Sequence, residues 1–229
     1  MKAVLLAAGL GTRLRPFTNN RPKCLIEIGG IPLILIWLQK LLSVGISEIL
    51  INTHYLSDQV VECVSRTAFK GQVTFAHEPV LLGTAGTLIK NIGFLGDDDC
   101  LLIHADNYMN SNLGSFLSAN EARPNYCLMS MLTFRTDNPK SCGIVEVDEN
   151  MVVQKFYEKI EADHGNLANG AVYVLSNKLA KSLVDEKDFS REVIPAVLGK
   201  IFSIETDSFF VDIGTPESLQ RAQAFAKRS

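Results

Sequence analysis

Short apolar runs of strand length alternate with stretches of helical periodicity through the first half of the chain. Lys2–Ala7 is rich in Val and Leu and is bounded by glycine, which predicts a buried strand. Pro32 opens a helix that runs through Gln39 and Leu42 and is ended by Gly45. Glu48–Thr53 predicts the next strand. Ser57 or Asp58 can then cap a helix carrying Val60, Val61 and Val64, with a turn at Gly71. Val73–His77, Thr84–Asn91 and Cys100–Ala105 read as strand, helix and strand. Strands separated by helices imply an α/β protein with a parallel sheet and right-handed crossovers, which binds ligands at the carboxyl ends of its strands.

The second half is richer in strands, expected over Tyr126–Thr133, Gly143–Val147, Val152–Tyr157, Leu167–Leu175 and Ile201–Thr206. Asp148-Glu149-Asn150 signals a hairpin between two of them. Helices are expected over Asn177–Val184 and Ser190–Gly199, and a last one capped by Thr215 with Pro216 at its first position.

A chain of 229 residues suffices for one domain with a substantial core, and no linker suggests two. The net charge of −3 with signs mixed throughout excludes a basic field for nucleic acid. Five scattered cysteines (Cys24, Cys63, Cys100, Cys127, Cys142) lack Cys-x-x-Cys spacing. They argue for reduced thiols in a cytosolic, cytoplasmic protein and against a zinc site or disulfide frame. The first apolar run reads as a strand, not a secretory signal, and no stretch approaches the roughly 20 residues that span a bilayer.

Candidate chemistry begins where the first strand ends, at Ala7-Ala8-Gly9-Leu10-Gly11-Thr12-Arg13-Leu14-Arg15-Pro16 and, downstream, Arg21-Pro22-Lys23. The glycines let main-chain N–H groups reach an anion, and Arg13, Arg15 and Lys23 supply charge where phosphate oxygens would sit. Three familiar phosphate loops are excluded. A Walker loop needs Gly-Lys-Ser/Thr, but Gly11 is followed by Thr12-Arg13. The dinucleotide fingerprint and the kinase glycine loop both fail at Leu14, and Pro16 discourages an immediate helix.

Two aspartates follow apolar strands. Asp106 comes after Cys100–Ala105, and Asp212 lies in Phe209-Phe210-Val211-Asp212-Ile213-Gly214-Thr215-Pro216. Each alone could merely cap the next element. Together with the cationic loop they favour magnesium, which takes one or two protein carboxylates beside phosphate oxygens. Asp97-Asp98-Asp99 precedes a strand and reads as a solvated turn, and His104 as a packed or hydrogen-bonded core residue. Glu78-Pro79-Val80-Leu81-Leu82-Gly83-Thr84-Ala85-Gly86 is a second glycine loop entering a helix, with Thr84 able to cap it. Glu158 and Lys159 end a strand, where regular alternation puts them on opposite faces, so they serve one ligand only if the strand breaks there. A solvated Glu-Lys pair is the equal alternative. Asn169-Gly170 inside Leu167–Leu175 suggests a hydrogen-bonding position with close backbone approach.

The pattern Ala-Ala-Gly-x-Gly-Thr-Arg-x-x-Pro with Arg-Pro-Lys downstream resembles the sugar-1-phosphate nucleotidyltransferases, and the likeness runs from Lys2 to the helix after Pro216. The resemblance implies a single-domain, Rossmann-like nucleotidyltransferase fold: a mixed, mostly parallel sheet flanked by helices. Its nucleotide-binding part would be about 1–110 and its sugar-phosphate part about 111–229, without the C-terminal β-helix many members carry. It implies an enzyme that joins a nucleoside triphosphate to a sugar 1-phosphate and releases pyrophosphate, supplying nucleotide sugars for cell-surface polysaccharide. Magnesium would sit on Asp106 and Asp212. Ala7, Ala8, Gly9, Gly11, Thr12, Arg13 and Lys23 would hold the nucleotide phosphates. Glu78, Pro79, Gly83 and Thr84 would meet base and ribose, and Gly143, Glu158, Lys159 and Asn169 the sugar phosphate. Arg13, Lys23 and Asp106 would carry the chemistry. His104-Ala105-Asp106 stands where Asn-Gly-Asp is commoner in the family. Asp188–Pro195 matches a family segment whose role reads as packing.

The form Glu-Pro-x-x-Leu-Gly-Thr-Ala-Gly looks more like guanylyltransferases acting on mannose- or heptose-type phosphates than like thymidylyl- or uridylyltransferases. A UTP-dependent enzyme on a glucose-, N-acetylglucosamine- or N-acetylmuramic acid-type 1-phosphate is the alternative. A nucleotide-sugar glycosyltransferase would need an Asp-x-Asp pair where Asp106-Asn107-Tyr108 stands, and a non-catalytic nucleotide sensor would be expected to have lost charged positions. No nucleic acid or membrane partner is expected, and a homo-oligomer stays open.

Overall fold

The computed structural model describes residues 1–159 and 164–228. The chain divides into two compact units, one formed by Lys2–Leu81, Ile103–Asn110 and Phe209–Ser229, the other by Met1, Leu82–Leu102 and Ser111–Ser208.

In the first unit, β1 (Lys2–Leu6) is followed by two short strands, β2 (Glu27–Ile28) and β3 (Ile31–Pro32), which pair antiparallel. β4 (Ile49–Thr53) lies parallel to β1, and β5 (Val73–His77) parallel to β4, as alternating strands and helices predict. β6 (Cys100–His104), whose last two residues belong to this unit, neighbours β1. The helix Leu33–Ser43 buries Leu33, Ile34, Trp37, Leu38 and Leu41, the apolar stripe of a 3.6-residue period. It ends as its glycine foretells: Gly45 takes φ 80°, its N–H donates to Leu42, and the Ile46 N–H donates to Leu41. The helix Ser57–Ser65 differs from expectation, since neither Ser57 nor Asp58 caps it. The cap position is Leu56, at φ 49°.

Beyond β6 the chain makes β7 (Asn107–Met109), which pairs antiparallel with the strand Phe210–Asp212. This two-stranded ribbon is held at both sides. Trp37 Nε1 donates to the Asn107 carbonyl at 2.8 Å. Phe209 stacks on Phe225 of the last helix with ring centroids 4.2 Å apart. That helix, Pro216–Ala226, has the expected Thr215 cap with Ser218 completing a capping box.

The second unit is built from β8 (Met129–Arg135), β9 (Gly143–Val147), β10 (Val153–Glu158), β11 (Leu167–Leu175) and β12 (Ile201–Thr206). β9 pairs antiparallel with β10 and β11, β11 antiparallel with β8, and β12 parallel with β8. The Asp148 turn joins β9 to β10, its carboxylate accepting from the N–H groups of Asn150 and Val152, both at 2.9 Å. The helix expected over Ser190–Gly199 is shorter. A wide turn at Phe189–Val193 leads into Ile194–Ala196, because Pro195 has no N–H to extend a regular ladder. The helix Leu113–Asn120 went unread, although Asn112 caps it by accepting from the Gly114 N–H.

Among the described residues no helix is long and apolar enough to cross a membrane. The packing of the second unit assigns one glycine a strict role. At Gly83 φ is 83°, and a methyl group would lie 2.3 Å from the Lys187 carbonyl oxygen. Gly83→Ala should therefore lose more than about 1 kcal/mol of stability in urea denaturation. Gly93→Ala, helical with open space around it, should gain up to about 1 kcal/mol.

Candidate active site

The loop after β1 turns at Gly11, whose φ of 62° is left-handed. A methyl group there would meet Thr18 at 3.0 Å and the Lys23 stem at 3.3 Å. Thr18, fully buried, closes the loop by donating its hydroxyl to the Gly11 carbonyl at 2.7 Å. Gly9 is different: a methyl group there would meet nothing within 4 Å. Only a single 3₁₀ turn, Thr12–Leu14, follows, with Leu14 buried as its anchor while Arg13 and Arg15 stay exposed. Lys23 opens another 3₁₀ turn and sends its side chain inward, 8% exposed.

Lys23 Nζ donates to Asp106 Oδ2 at 2.7 Å and to Asp212 Oδ1 at 2.8 Å. Arg13 Nη2 lies 3.9 Å from the other oxygen of Asp212. The ribbon explains why residues so far apart in sequence meet. Asn107 is the register partner of Asp212, and the Ile213 N–H donates to the Asp106 carbonyl at 3.1 Å, so both carboxylates leave the same ribbon end. Gly214 clears space for them, since a methyl group there would lie 2.9 Å from Asp212 Oδ2 and 3.2 Å from Arg13 Nη2. Burial works against the charge of Asp106, but the Lys23 ammonium, with His104 and the hydrogen bonds, holds its carboxyl below the usual carboxylate range. Burial likewise disfavours the Lys23 ammonium, and the two carboxylates overcome it and raise its pKa.

A second chain of contacts starts at the same loop. The Ala7 N–H donates to Asn52 Oδ1 at 2.7 Å, and Asn52 Nδ2 donates to Glu78 Oε1 at 2.8 Å. His54 Nδ1–H donates to the Glu78 carbonyl at 2.6 Å. The Glu78 side chain, expected to meet a ligand, is thus buried in a relay that ties the end of β5 to the start of the glycine loop.

In the second unit, Gly83 and Thr84 open the helix Thr84–Lys90. Thr84 does not cap it. Its hydroxyl accepts from the Phe189 N–H at 2.7 Å, while the Ala85 N–H donates to Lys187. The Asp188–Pro195 segment packs as expected, with Phe189 buried against Tyr173. β10 breaks where sharing a ligand requires it. Lys159 takes φ 51°, its N–H donates to the Cys142 carbonyl, and its Nζ lies 3.3 Å from Glu158 Oε1. Gly143 lies under its neighbours, since a methyl group there would come within 2.5 Å of the Phe156 ring and 2.9 Å of Glu158 Oε2. Asn169 spends its amide inside the fold, donating to Tyr173 Oη at 2.7 Å and accepting from the Ala171 N–H at 2.9 Å across a bulge in β11.

Asp97–Asp99 is a fastening point in the fold: Asp97 pairs with Lys181, Asp98 with the N-terminal ammonium, and Asp99 accepts from the Asn177 N–H. All five cysteines are free thiols, and burial pushes Cys24 up to about 12, far from a reactive thiolate. Sequence reasoning passed over Asn52 and Thr18. The polar Asn52 at the end of an otherwise apolar strand was the available signal for the first.

The profile of the nucleotidyl transferase family matches residues 2–229. A mannose-1-phosphate guanylyltransferase of Mycobacterium tuberculosis is 29% identical, over 97% of this chain and 63% of its own length. A mannose-1-phosphate guanyltransferase of Aspergillus fumigatus is 28% identical, over 95% of this chain and 62% of its own. The chain thus spans less than two thirds of these relatives. HddC from Yersinia pseudotuberculosis, solved with GMP-PN, superposes with a TM-score of 0.82 at 24% identity, covering 98% of both chains. A Bacillus anthracis protein solved with sucrose, provisionally named a glucose-1-phosphate thymidylyltransferase, reaches 0.89 at 24% identity, covering 100% of this chain and 96% of its own. At these identities the likeness establishes the fold, which is the α/β fold expected from the sequence.

The relay through Asn52 generates a test. Asn52→Leu leaves the Ala7 N–H and the buried Glu78 carboxylate each short of a partner, and should cost about 1–3 kcal/mol in chemical denaturation.

Proposed function

This chain belongs to the nucleotidyl transferase family, and from that premise we propose that it transfers a nucleoside monophosphate from a nucleoside triphosphate to a sugar 1-phosphate, with GTP and a mannose-type 1-phosphate as the first pair to test. The convergence of Lys23, Asp106, Asp212 and Arg13 beside the glycine loop carries the reading. The names of the relatives at 29% and 28% identity support guanine and mannose, and the form of the Glu78–Gly86 loop also admits a heptose-type phosphate.

Asp106 and Asp212 fit a magnesium ion: they present oxygen donors only, and both already point at a single cationic group. Among the described residues no cluster of three or more His, Cys, Asp or Glu offers a competing metal cage. When bound, magnesium would neutralise phosphate charge.

An oxygen of the sugar phosphate attacks the α-phosphorus. A new P–O bond forms, the bond to the β-phosphate bridging oxygen breaks, and pyrophosphate leaves with the electron pair. The attacking phosphate is already largely dianionic near neutrality, so little general-base help is needed. The protein has to hold two repelling anions in line and spread the transition-state charge. Arg13 takes the β- and γ-phosphates, Lys23 the α-phosphate and Lys159 the acceptor phosphate. The loop N–H groups at Ala8, Gly9, Gly11 and Thr12 line the triphosphate. Glu158, at the break in β10, accepts from sugar hydroxyls. Pro79, Gly83 and Thr84 border the base and ribose.

Pyrophosphate release, measured for the four nucleoside triphosphates against mannose-, heptose-, glucose-, N-acetylglucosamine- and N-acetylmuramic acid 1-phosphates, tests the reaction and its substrates together. GTP with mannose 1-phosphate should be among the fastest pairs, and no release with any pair would refute the reading. Arg13→Ala and Lys23→Ala should each raise the barrier by about 2–4 kcal/mol at saturating substrate. A Lys23→Ala enzyme turning over at the parent rate would remove Lys23 from the chemistry. Gly9→Ala should melt like the parent yet bind nucleotide more weakly, because only the ligand needs the space above it.

A further inference from the structure

Lys23 already engages one oxygen of each of the two carboxylates assigned to the cation. The ammonium lies 2.7 Å from Asp106 Oδ2 and 2.8 Å from Asp212 Oδ1, with its stem buried and Arg13 standing 3.9 Å from the remaining oxygen of Asp212. A metal ion bridging Asp106 and Asp212 would sit at contact distance from a fixed positive charge, where repulsion is strong. An ammonium that is 8% exposed cannot simply retreat, since leaving the carboxylates costs it the partners that offset its burial.

We infer that Lys23 is the internal counter-ion of the cation site: it keeps divalent ions out of the nucleotide-free protein and yields Asp106 and Asp212 only when a polyphosphate offers it other oxygens. The inference rests on the assignment of these aspartates to a metal in the proposed function. Polyphosphate and metal then bind with positive coupling. The phosphate oxygens replace the carboxylates around Lys23 and also supply ligands to the ion, and by linkage each raises the affinity for the other equally. The same lysine acts in turn as a placeholder for the metal and as a phosphate ligand.

Manganese titrated into nucleotide-free protein and followed by electron paramagnetic resonance tests this without turnover. Lys23→Met should bind Mn²⁺ about tenfold or more tightly than the parent, since a unit charge at contact distance is removed. Adding Asp212→Asn to Lys23→Met should abolish the gain. Lys23→Gln keeps an amide donor to both carboxylates and should still tighten binding, so it serves if the methionine variant does not fold. Mn²⁺ should also raise the melting temperature of either variant and leave that of the parent unchanged. Equal Mn²⁺ affinity in the parent and in the folded variants would overturn the inference. Tighter binding in Lys23→Met without pyrophosphate release by the parent would instead overturn the proposed reaction and leave the counter-ion role standing. Pyrophosphate release with unchanged Mn²⁺ affinity would do the reverse.

Discussion

A single buried ammonium held by two carboxylates organises the first unit. Lys23, Asp106 and Asp212 come from three separated stretches, and each is placed by a different device. A 3₁₀ turn after Pro22 aims the lysine inward, the turn after β6 presents one aspartate, and the paired ribbon fixes the other beside it. Burial works against the charges of Lys23 and Asp106, and their pairing outweighs it at both. Asp106, with its pKa depressed, contributes stability above the ordinary carboxylate range and loses it as pH falls through its folded value. Lys23, with its pKa raised, contributes below the ordinary ammonium range and loses it as pH rises through its own. The clasp is therefore complete across neutrality.

The parts of this site that were legible in the sequence are those written in local pattern. A glycine loop after an apolar strand, aspartates after two others, and a proline-started helix behind a threonine each depend on a few adjacent residues. The α/β order was legible for the same reason, because apolar period and glycine punctuation are local properties. What was hidden depends on partners distant in the chain. Nothing near Asn52 says that it will bridge Ala7 to Glu78, and nothing near Lys23 says that its first partners are aspartates. Thr84 looked like a cap because it opens a helix, but its hydroxyl is claimed by Phe189, 105 residues away. The helix foreseen over Ser190–Gly199 runs only to Ala196 and starts as a wide turn, which suits a segment holding a residue without an N–H.

Glu158 and Lys159 show how a conditional expectation becomes structural. On a regular strand they point apart, and only a break makes them neighbours. The break exists, at a non-glycine residue held in left-handed backbone by the hydrogen bond from its N–H to Cys142. Such a conformation is costly for a lysine and persists where the surroundings impose it, a pattern that gathers at ligand-handling positions. The two side chains then meet at 3.3 Å, Lys159 exposed and Glu158 half-buried, in a pair that contributes little to stability.

The glycines separate what the fold demands from what a ligand would demand. Gly83 and Gly143 are required by the protein itself, one by the Lys187 carbonyl and the other by the Phe156 ring. Gly11 is required by both its left-handed turn and the crowding of Thr18 and Lys23. Gly214 is required by the site, since a side chain there would strike the Asp212 carboxylate and the Arg13 guanidinium. Gly9 alone in the loop has neither strained backbone nor a neighbour to avoid. The fold itself would accept a side chain at Gly9, where it would not at Gly11. The proposed triphosphate, lying on the N–H groups of that loop, is what would need the bare backbone at Gly9.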